Sequence, residues 1–184
     1  TMTATGLEQV RNPAAPFLVQ RDGELPAGII VAPVYEGSRV LLVEIQSLVV
    51  PAKGAVSRIF SDKIDSSRVS RTAAVLEKHL SLRFSDQDIY VNVAGGIKIN
   101  EVGIEVPLGL ALYSARSSLP VPQHTAAAGE LTLAGEVRPI AHMARRARTA
   151  GEMGFSNVIG PASGEKGGDT DWRTIKTIAE AVTS

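Results

Sequence analysis

Residues 129–140 read GELTLAGEVRPI, and the fold prediction for the chain starts from this stretch. Apolar residues alternate with polar ones as in two short strands: Leu131 and Leu133, then Val137 and Ile140. Ala134 and Gly135 supply the turn between the strands, and Pro139 marks the change to a helix predicted over residues 141–153. The residues alone therefore predict a β-hairpin that leads into a helix, a unit with little functional content of its own.

The composition is that of one globular domain. The chain has 184 residues, of which 44% are hydrophobic and 21% charged, as in a folded domain with a core of ordinary size. Its formal net charge is +0, so binding to nucleic acid would have to come from local clusters of charge. No apolar run approaches the roughly 20 residues that span a bilayer, and no secretory leader is evident. We therefore predict a cytoplasmic protein without a membrane partner.

The residue types also limit the chemistry. There is no cysteine, which excludes disulfides, thiolate nucleophiles and cysteine zinc sites. The three histidines are far apart in sequence, which disfavours a metal site. The segments VAGGIK (93–98) and GEKGGD (164–169) lack the spacing of a phosphate-binding loop or a dinucleotide fingerprint. Because the chain begins with Thr rather than Met, we expect it to be a fragment of a longer protein.

Apolar periodicity elsewhere predicts strands and helices in mixed order. Strands are predicted over residues 28–34, 39–50, 88–93 and 157–159, with residues 97–99 continuing the third. Helices are predicted over 66–82, 105–117, 141–153 and 177–182, and loops over 51–63 and 162–171. The second helix has no charged residue from Val106 to Ala115, so it should be buried. Together these elements predict an α+β fold, a mixed sheet with packed helices.

Glu101 and Glu105 lie four residues apart at the start of the helix that should be buried. Two neighbouring carboxylates can serve acid–base catalysis or hold a metal ion. Carboxylates near a helix N-terminus also cap the helix and offset its dipole. We favour the capping interpretation.

Positive charge is concentrated in the loop 51–63, on one face of the helix 66–82 and in residues 138–148. Local clusters of this kind are typical of phosphate contacts. Aromatic residues for base stacking are scarce, which favours contacts to the duplex backbone over stacking with single strands. The candidate DNA-contact residues are Arg58, Lys63, Arg68, Arg71, Arg138, Arg145 and Arg146. For each of them the alternative is a solvated surface residue.

Several segments, taken in order, resemble a known family. They are GLEQVRNP (6–13), LLVEIQSLVVP (41–51), AAVLEKH (73–79), DQDIYVNVAGGIKINE (86–101), LPVP (119–122), GELTLAGEVRPI (129–140) and MGFSNVI (153–159). Together they resemble the Lon-protease-like C-terminal domain of the bacterial RadA (Sms) recombination proteins. The resemblance implies a fold like the Lon proteolytic domain and ribosomal protein S5 domain 2 for residues 28–184. Residues 1–27 would be a linker from a missing ATPase domain.

The hairpin and its helix also resemble Lon itself, which raises the alternative of a Ser–Lys peptidase. The positions that match the serine and the lysine are Gly103 and Ala144. The helix 141–153 has no lysine, and Arg145 cannot be the general base because its guanidinium stays protonated. The resemblance therefore implies a domain that is not an enzyme, with a peptidase of unrecognised nucleophile as the alternative. Arg68 and Arg138 match positions that are commonly basic in the RadA family.

The function implied by the resemblance is that of a scaffold. The domain would support a homo-oligomer, a hexameric ring, and would offer positive surface to DNA during recombination and repair. Recombination proteins are possible further partners. No cofactor is expected in this chain, since ATP and zinc would belong to the missing domains. An oligomerisation module without DNA contact is the other alternative.

Overall fold

A seven-stranded mixed sheet organises the chain. The computed structural model describes residues 2–3, 6–7, 17–165 and 172–183. Most of the segment 6–13, most of the first 16 residues of the predicted linker and residues 166–171 of the predicted loop 162–171 therefore lie outside the described residues. Within them no helix has both the length and the hydropathy needed to cross a bilayer.

The strands are short except for one long central hairpin. They are β1 (Met2–Thr3), β2 (Gly6–Leu7), β3 (Ile29–Glu36), β4 (Arg39–Pro51), β5 (Ile59–Ser61), β6 (Gln87–Val93), β7 (Thr125–Ala127), β8 (Glu130–Leu131), β9 (Val137–Arg138), β10 (Asn157–Gly160) and β11 (Arg173–Thr174). The large sheet has the order β11-β10-β7-β3-β4-β6-β5. Strand β4 pairs antiparallel with β3 and β6, while β7, β10, β11 and β5 join through parallel pairs. The predicted mixed sheet is confirmed.

Three of the four helices pack on one face of this sheet. The helices are α1 (Ser66–Leu80), α2 (Glu105–Ser117), α3 (Met143–Glu152) and α4 (Ile178–Val182). Residues of α1, α2 and α4 share one apolar cluster with alternate residues of the central strands, such as Leu41, Val43 and Ile45 of β4. Helix α2 lies at its centre, with Leu108 and Leu112 fully buried. The predicted burial of this helix, which has no charged residue from Val106 to Ala115, is confirmed.

Helix α3 packs on the opposite face of the sheet. There Met143, Ala147 and Ala150 contact an apolar cluster that includes Val31 of β3 and Leu42 of β4. Leu42 faces α3 while its neighbours face α2, because successive side chains of a strand point to opposite faces. The sheet thus separates α2 from α3, and groups from both sides can meet only at its ends.

Two neighbouring residues of the predicted linker pack on different apolar clusters: Phe17 packs on the cluster of α1, α2 and α4, and Leu18 on the cluster of α3. Both guanidinium nitrogens at the end of Arg21 bind the Glu44 carboxylate, with N–O distances of 2.6 and 2.8 Å. Burial by itself raises the pKa of Glu44. Hydrogen bonds from Arg21, Gln46 and the Val19 N–H lower it, as does the positive charge of Arg21. The lowering effects are larger, so the pKa of Glu44 lies below its ordinary value. Residues from Phe17 onward are therefore anchored to the sheet rather than free of it.

The predicted loops contain strands that the sequence did not reveal. Strand β5 lies in the predicted loop 51–63, and strands β7 and β11 were not predicted. Conversely, residues 97–99 are not a strand, because a 3-10 turn (Ala94–Gly96) ends β6. Strands of two or three residues are stabilised by their sheet partners and show too little periodicity to be recognised.

The hairpin of residues 129–140 is confirmed, but its ladder is only two residues long. Leu131 and Val137 are buried, whereas Leu133 lies in the turn and is exposed. Gly135 follows with φ +79°, a backbone conformation that disfavours a side chain. A Cβ there would lie 3.0 Å from Cγ of His79, whose Nε2 is 3.0 Å from the Leu133 carbonyl oxygen. The turn is thus fitted to the end of α1.

We expect Gly135→Ala to lower the free energy of unfolding by about 2 kcal/mol. Part of the loss comes from placing a side chain on a residue with positive φ, and part from the close contact of the new Cβ with His79. Gly154→Ala is the matched control, because Gly154 has φ +92° and no atom within 4 Å of its Cβ position; it should lose about 1 kcal/mol. Urea unfolding measures both. In a His79→Ala background, Gly135→Ala should cost no more than Gly154→Ala does in the wild type, because the contact with the His79 ring is gone. Equal losses for Gly135→Ala and Gly154→Ala in the wild type would contradict a close contact between the turn and His79.

The Arg21–Glu44 pair should make stability depend on pH. Because the Glu44 pKa is lowered by folding, the pair stabilises above the ordinary carboxyl pKa of about 4.3, and the stabilisation is lost as pH falls through the lower folded-state value. We expect Arg21→Met to lower the free energy of unfolding by about 2 kcal/mol at neutral pH and by less at about pH 3. Arg39→Met is the control, since Arg39 and Glu36 form an exposed pair at 3.7 Å. A pH-independent loss in Arg21→Met would contradict the prediction.

Candidate functional site

An ion pair between the buried Arg146 of α3 and the partly buried Glu101 joins α3 to the turn that precedes α2. The Arg146 Nη1 and Nη2 atoms lie 2.6 and 2.8 Å from the two carboxylate oxygens of Glu101. Arg146 also donates from Nη1 to the carbonyl of Pro33 and from Nε to that of Ala141, at 2.9 and 3.0 Å. Its side chain is 4% exposed. A guanidinium is stable in such a place only because its donors are paired.

Both glutamates take part in one network with arginines of α1. The carbonyl of Glu101 accepts a 2.5 Å hydrogen bond from Arg68, whose Nε also lies 3.8 Å from Glu105. Glu105 pairs with Arg71 at 3.3 Å and accepts the N–H of Leu131, in the hairpin, at 2.9 Å. Neither carboxylate accepts a capping hydrogen bond, so the capping part of the interpretation is wrong. Glu105 does lie in the first turn of α2, where its charge offsets the helix dipole as expected. The two glutamates connect α1, α2, α3 and the hairpin.

Gly103 lies beside this pair, in the turn (Val102–Ile104) before α2. A Cβ built on it would be 3.2 Å from Nη1 of Arg146, 3.2 Å from Cδ1 of Ile140 and 3.5 Å from the Glu101 carboxylate. Ala144, on α3, is buried. The position that resembles the peptidase serine is therefore enclosed by the ion pair and by Ile140.

A second group of side chains surrounds Tyr35 at the end of β3. The His142 ring stacks on the Tyr35 ring with centroids 4.5 Å apart, and His142 has φ +60° as the residue before α3. The guanidinium carbons of Arg145 and Arg146 lie 5.6 and 5.0 Å from the Tyr35 centroid. Cations near a helix N-terminus oppose the helix dipole. Cation–π contacts and the Glu101 pair offset that effect in α3.

The structure brings some of the predicted DNA-contact residues together and separates others. Arg68 and Arg71 lie on the glutamate network, and Arg145 on Tyr35 beside it. Arg138 is exposed on β9 and has no ion pair within the described part of the chain. Lys63 pairs with its neighbour Asp62 at 3.7 Å.

Arg146 is a correction to the predicted set. Its side chain is enclosed and its donors bind the protein's own oxygens, so it is a structural residue and not a surface for phosphate. In sequence it is indistinguishable from Arg145, because only the direction of each side chain from α3 separates them. Tyr35 and His142 were missed, since their contact depends on β3 and α3 meeting in the fold.

Arg58 occupies a different place, at the start of the edge strand β5. It binds Asp88 through its backbone N–H at 3.0 Å and through Nη2 at 2.9 Å. The hydrogen bond from the Arg58 side chain lowers the pKa of Asp88, although burial opposes the change. The charge of Arg58 is thus offset within the protein.

Removal of Arg146 should destabilise the fold far more than removal of its neighbour. We expect Arg146→Met to lower the free energy of unfolding by about 2–4 kcal/mol, because the partly buried Glu101 carboxylate loses its partner and two backbone carbonyls lose their donor. Arg145→Met, at an exposed position on the same helix, should change it by less than about 1 kcal/mol. Denaturant unfolding measures both, and equal effects would contradict the assignment of Arg146 to the interior.

Comparison with known proteins gives a family and a set of relatives. Residues 56–164, more than half of the chain, match the family described as subunit ChlI of Mg-chelatase. The chain is 48% identical over 184 residues to the DNA repair protein RadA of Treponema pallidum, covering 99% of this chain and 40% of that protein. It is 41% identical over 162 residues to the RadA of Escherichia coli, covering 88% of this chain and 35% of the relative. The RadA of Brucella abortus is 36% identical over 181 residues, 98% of this chain and 38% of the relative.

These RadA proteins are much longer than the chain, which spans at most 40% of their length. The similarity therefore concerns one part of each relative. On the family match, this chain belongs to the family described as subunit ChlI of Mg-chelatase, and nearly all of it is similar to DNA repair proteins named RadA.

Proposed function

We propose that this chain is the non-catalytic, Lon-like domain of a RadA-type DNA repair and recombination protein. In this role it supports a hexameric ring and binds DNA independently of sequence. The identity of 48% to a RadA protein over 99% of the chain supports the assignment. The matching family is named after a subunit of Mg-chelatase, whereas the relatives are named DNA repair proteins. The similarity therefore supports a shared domain rather than a shared reaction.

The observation that carries the proposal is the occupation of the Gly103 site by Arg146. A serine nucleophile needs space and a base that can accept its proton. The Gly103 Cβ position has Arg146 Nη1 at 3.2 Å, and guanidinium cannot accept a proton. Ala144, at the position matched to the lysine, has no ionisable group. This arrangement supports a Lon or ribosomal protein S5 domain 2 type of fold that performs no peptidase chemistry.

The DNA surface would be formed by the cations that remain exposed around this site. The side chain of Arg71 is 46% exposed, and Arg138 and Arg145 are exposed as well. Guanidinium groups bind phosphate oxygens through paired hydrogen bonds without reading bases. Arg71 shares Glu105 with Arg68, but the Arg68 side chain is only 17% exposed and would contribute less. Arg58 and Lys63 would also contribute less, because Asp88 and Asp62 offset their charges. Duplex binding would therefore depend on salt and not on sequence.

The remaining parts of the proposal concern the longer protein. ATP and zinc would be bound by segments outside this chain, and other recombination proteins would be partners of the assembly. A repair role places the protein in the cytoplasm with the bacterial DNA. Light scattering tests the ring directly, since a hexamer has six times the chain mass of 19.4 kDa.

The DNA surface is tested by the triple variant Arg71→Ala, Arg138→Ala and Arg145→Ala. We expect it to bind an unrelated-sequence duplex about tenfold more weakly than the wild type at about 0.1 M salt. The slope of log affinity against log salt should fall by about 2–3, since each lost phosphate contact removes about 0.9. Fluorescence anisotropy over a salt titration measures both quantities.

The matched control removes three other exposed cations, as Arg83→Ala, Lys98→Ala and Lys176→Ala, which gives the same change in net charge. It should retain the wild-type affinity and slope. Equal losses of duplex affinity in the two triple variants would mean that binding depends only on the net charge of the chain and not on Arg71, Arg138 and Arg145. A hexamer without duplex binding would leave the oligomerisation module as the function, and turnover of an unfolded protein would restore the peptidase.

A further inference from the structure

One end of the sheet carries an exposed row of apolar side chains on three neighbouring strands. Leu48 of β4 is the register partner of Tyr90 of β6, and Tyr90 is the register partner of Phe60 of β5. Their neighbours Val49, Ile59 and Ile89 face the opposite side, toward α1 and α2. Leu48, Phe60 and Tyr90 are 56%, 43% and 39% exposed. The row lies on the sheet face that holds α3, away from the glutamate network.

The two rings of this row form an ordered stack. The centroids of Phe60 and Tyr90 are 4.6 Å apart and their planes differ by 13°. The guanidinium carbon of Arg58 lies 5.3 Å from the Phe60 centroid. The Arg58–Asp88 hydrogen bonds hold that guanidinium in place. Planar groups are therefore presented at the surface in a fixed arrangement.

The flanks of the row are polar. On one side Asn92 donates to the side-chain oxygen of Gln46 at 3.1 Å, and on the other lie Asp88 and Arg58. A shallow cavity of about 280 Å³ lies over the row and its amide neighbours. Amide side chains beside aromatic rings on a sheet can offer both hydrogen bonds and stacking to an unpaired base.

The size of the patch distinguishes the possible occupants. The exposed parts of its three apolar side chains amount to on the order of 300 Å². A stable protein interface buries about 800 Å² on each partner. A base, in contrast, needs only one ring face and a few polar neighbours.

We propose that this row, which we call the aromatic row (Leu48, Tyr90 and Phe60), binds single-stranded nucleic acid by stacking one base on Tyr90, because Tyr90 and the Arg58 guanidinium already lie against the Phe60 ring. Sequence reasoning disfavoured stacking because aromatic residues are few. The fold changes that conclusion, since it places two of the seven Phe and Tyr residues side by side at the surface. The proposal stands independently of the duplex surface, because Arg71, Arg138 and Arg145, which the duplex test removes, are not part of the row.

The test compares two strands with equal charge. The full chain is titrated against a labelled oligothymidylate of about ten nucleotides, a length in the range of known single-strand sites, and against an abasic strand with the same number of phosphates. Wild type should bind the thymidylate strand at least about tenfold more tightly. Tyr90→Leu should lose most of that preference while leaving the affinity for the abasic strand unchanged. Tyr90→Phe, which keeps the ring, should remain within about twofold of the wild type.

The outcomes separate the possibilities. Equal binding of the two strands by wild type, or an unchanged preference in Tyr90→Leu, overturns the proposal. The proposal is also overturned if Tyr90→Leu has a lower oligomer mass than the wild type and the wild type shows no preference for the thymidylate strand. The row would then be a contact between copies of the chain. Tyr90→Phe and far-ultraviolet circular dichroism show that a loss does not come from unfolding. The Arg71, Arg138 and Arg145 triple variant should lose duplex affinity and keep the base preference, so the two sites can fail separately.

Discussion

The ion pair between Glu101 and Arg146 constrains the other parts of the site. Helices α2 and α3 lie on opposite faces of the sheet, and this pair joins them at the end of β3. Each partner has further hydrogen bonds, Glu101 from the Tyr35 N–H and Arg146 to two carbonyls. Desolvation of both charges is offset only by this complete set of contacts, and loss of one partner would leave the other unpaired in the interior.

The same pair explains the residue at 103. Arg146 can reach Glu101 only if the turn before α2 leaves room beside its Nη1 atom, and the Gly103 Cβ position is 3.2 Å from that atom. A serine there would compete with the guanidinium for this space. The absence of a side chain at Gly103 and the position of Arg146 therefore depend on each other. Replacing Gly103 with serine alone would not create a nucleophile with access to solvent or to a base.

Much of the fold could be predicted from the sequence, and much less of the site. Long patterns were sufficient for the hairpin β3–β4, for α1 and for the buried α2, because a face of each element repeats several times. Strand β5 has three residues and could not be recognised, so the alignment of Phe60 with Tyr90 could not be foreseen. Sequence also placed Arg145 and Arg146 in one group, whereas successive residues of a helix point about 100° apart and only Arg146 reaches the interior.

Counting basic residues overstates the positive surface of this chain. Arg21, Arg58 and Arg146 are each bound to a carboxylate, and Arg68 and Arg71 share Glu105. Within the described residues, Arg138, Arg145 and Arg148 are exposed arginines of the segment 138–148 without an ion pair. Two or three phosphate contacts per chain would give weak binding at physiological salt. Assembly into the proposed ring would change this limit, because linked copies would bind one DNA molecule at a high effective concentration. Ring formation and duplex binding would thus be one property: a single domain would bind weakly, and several domains held together would bind well.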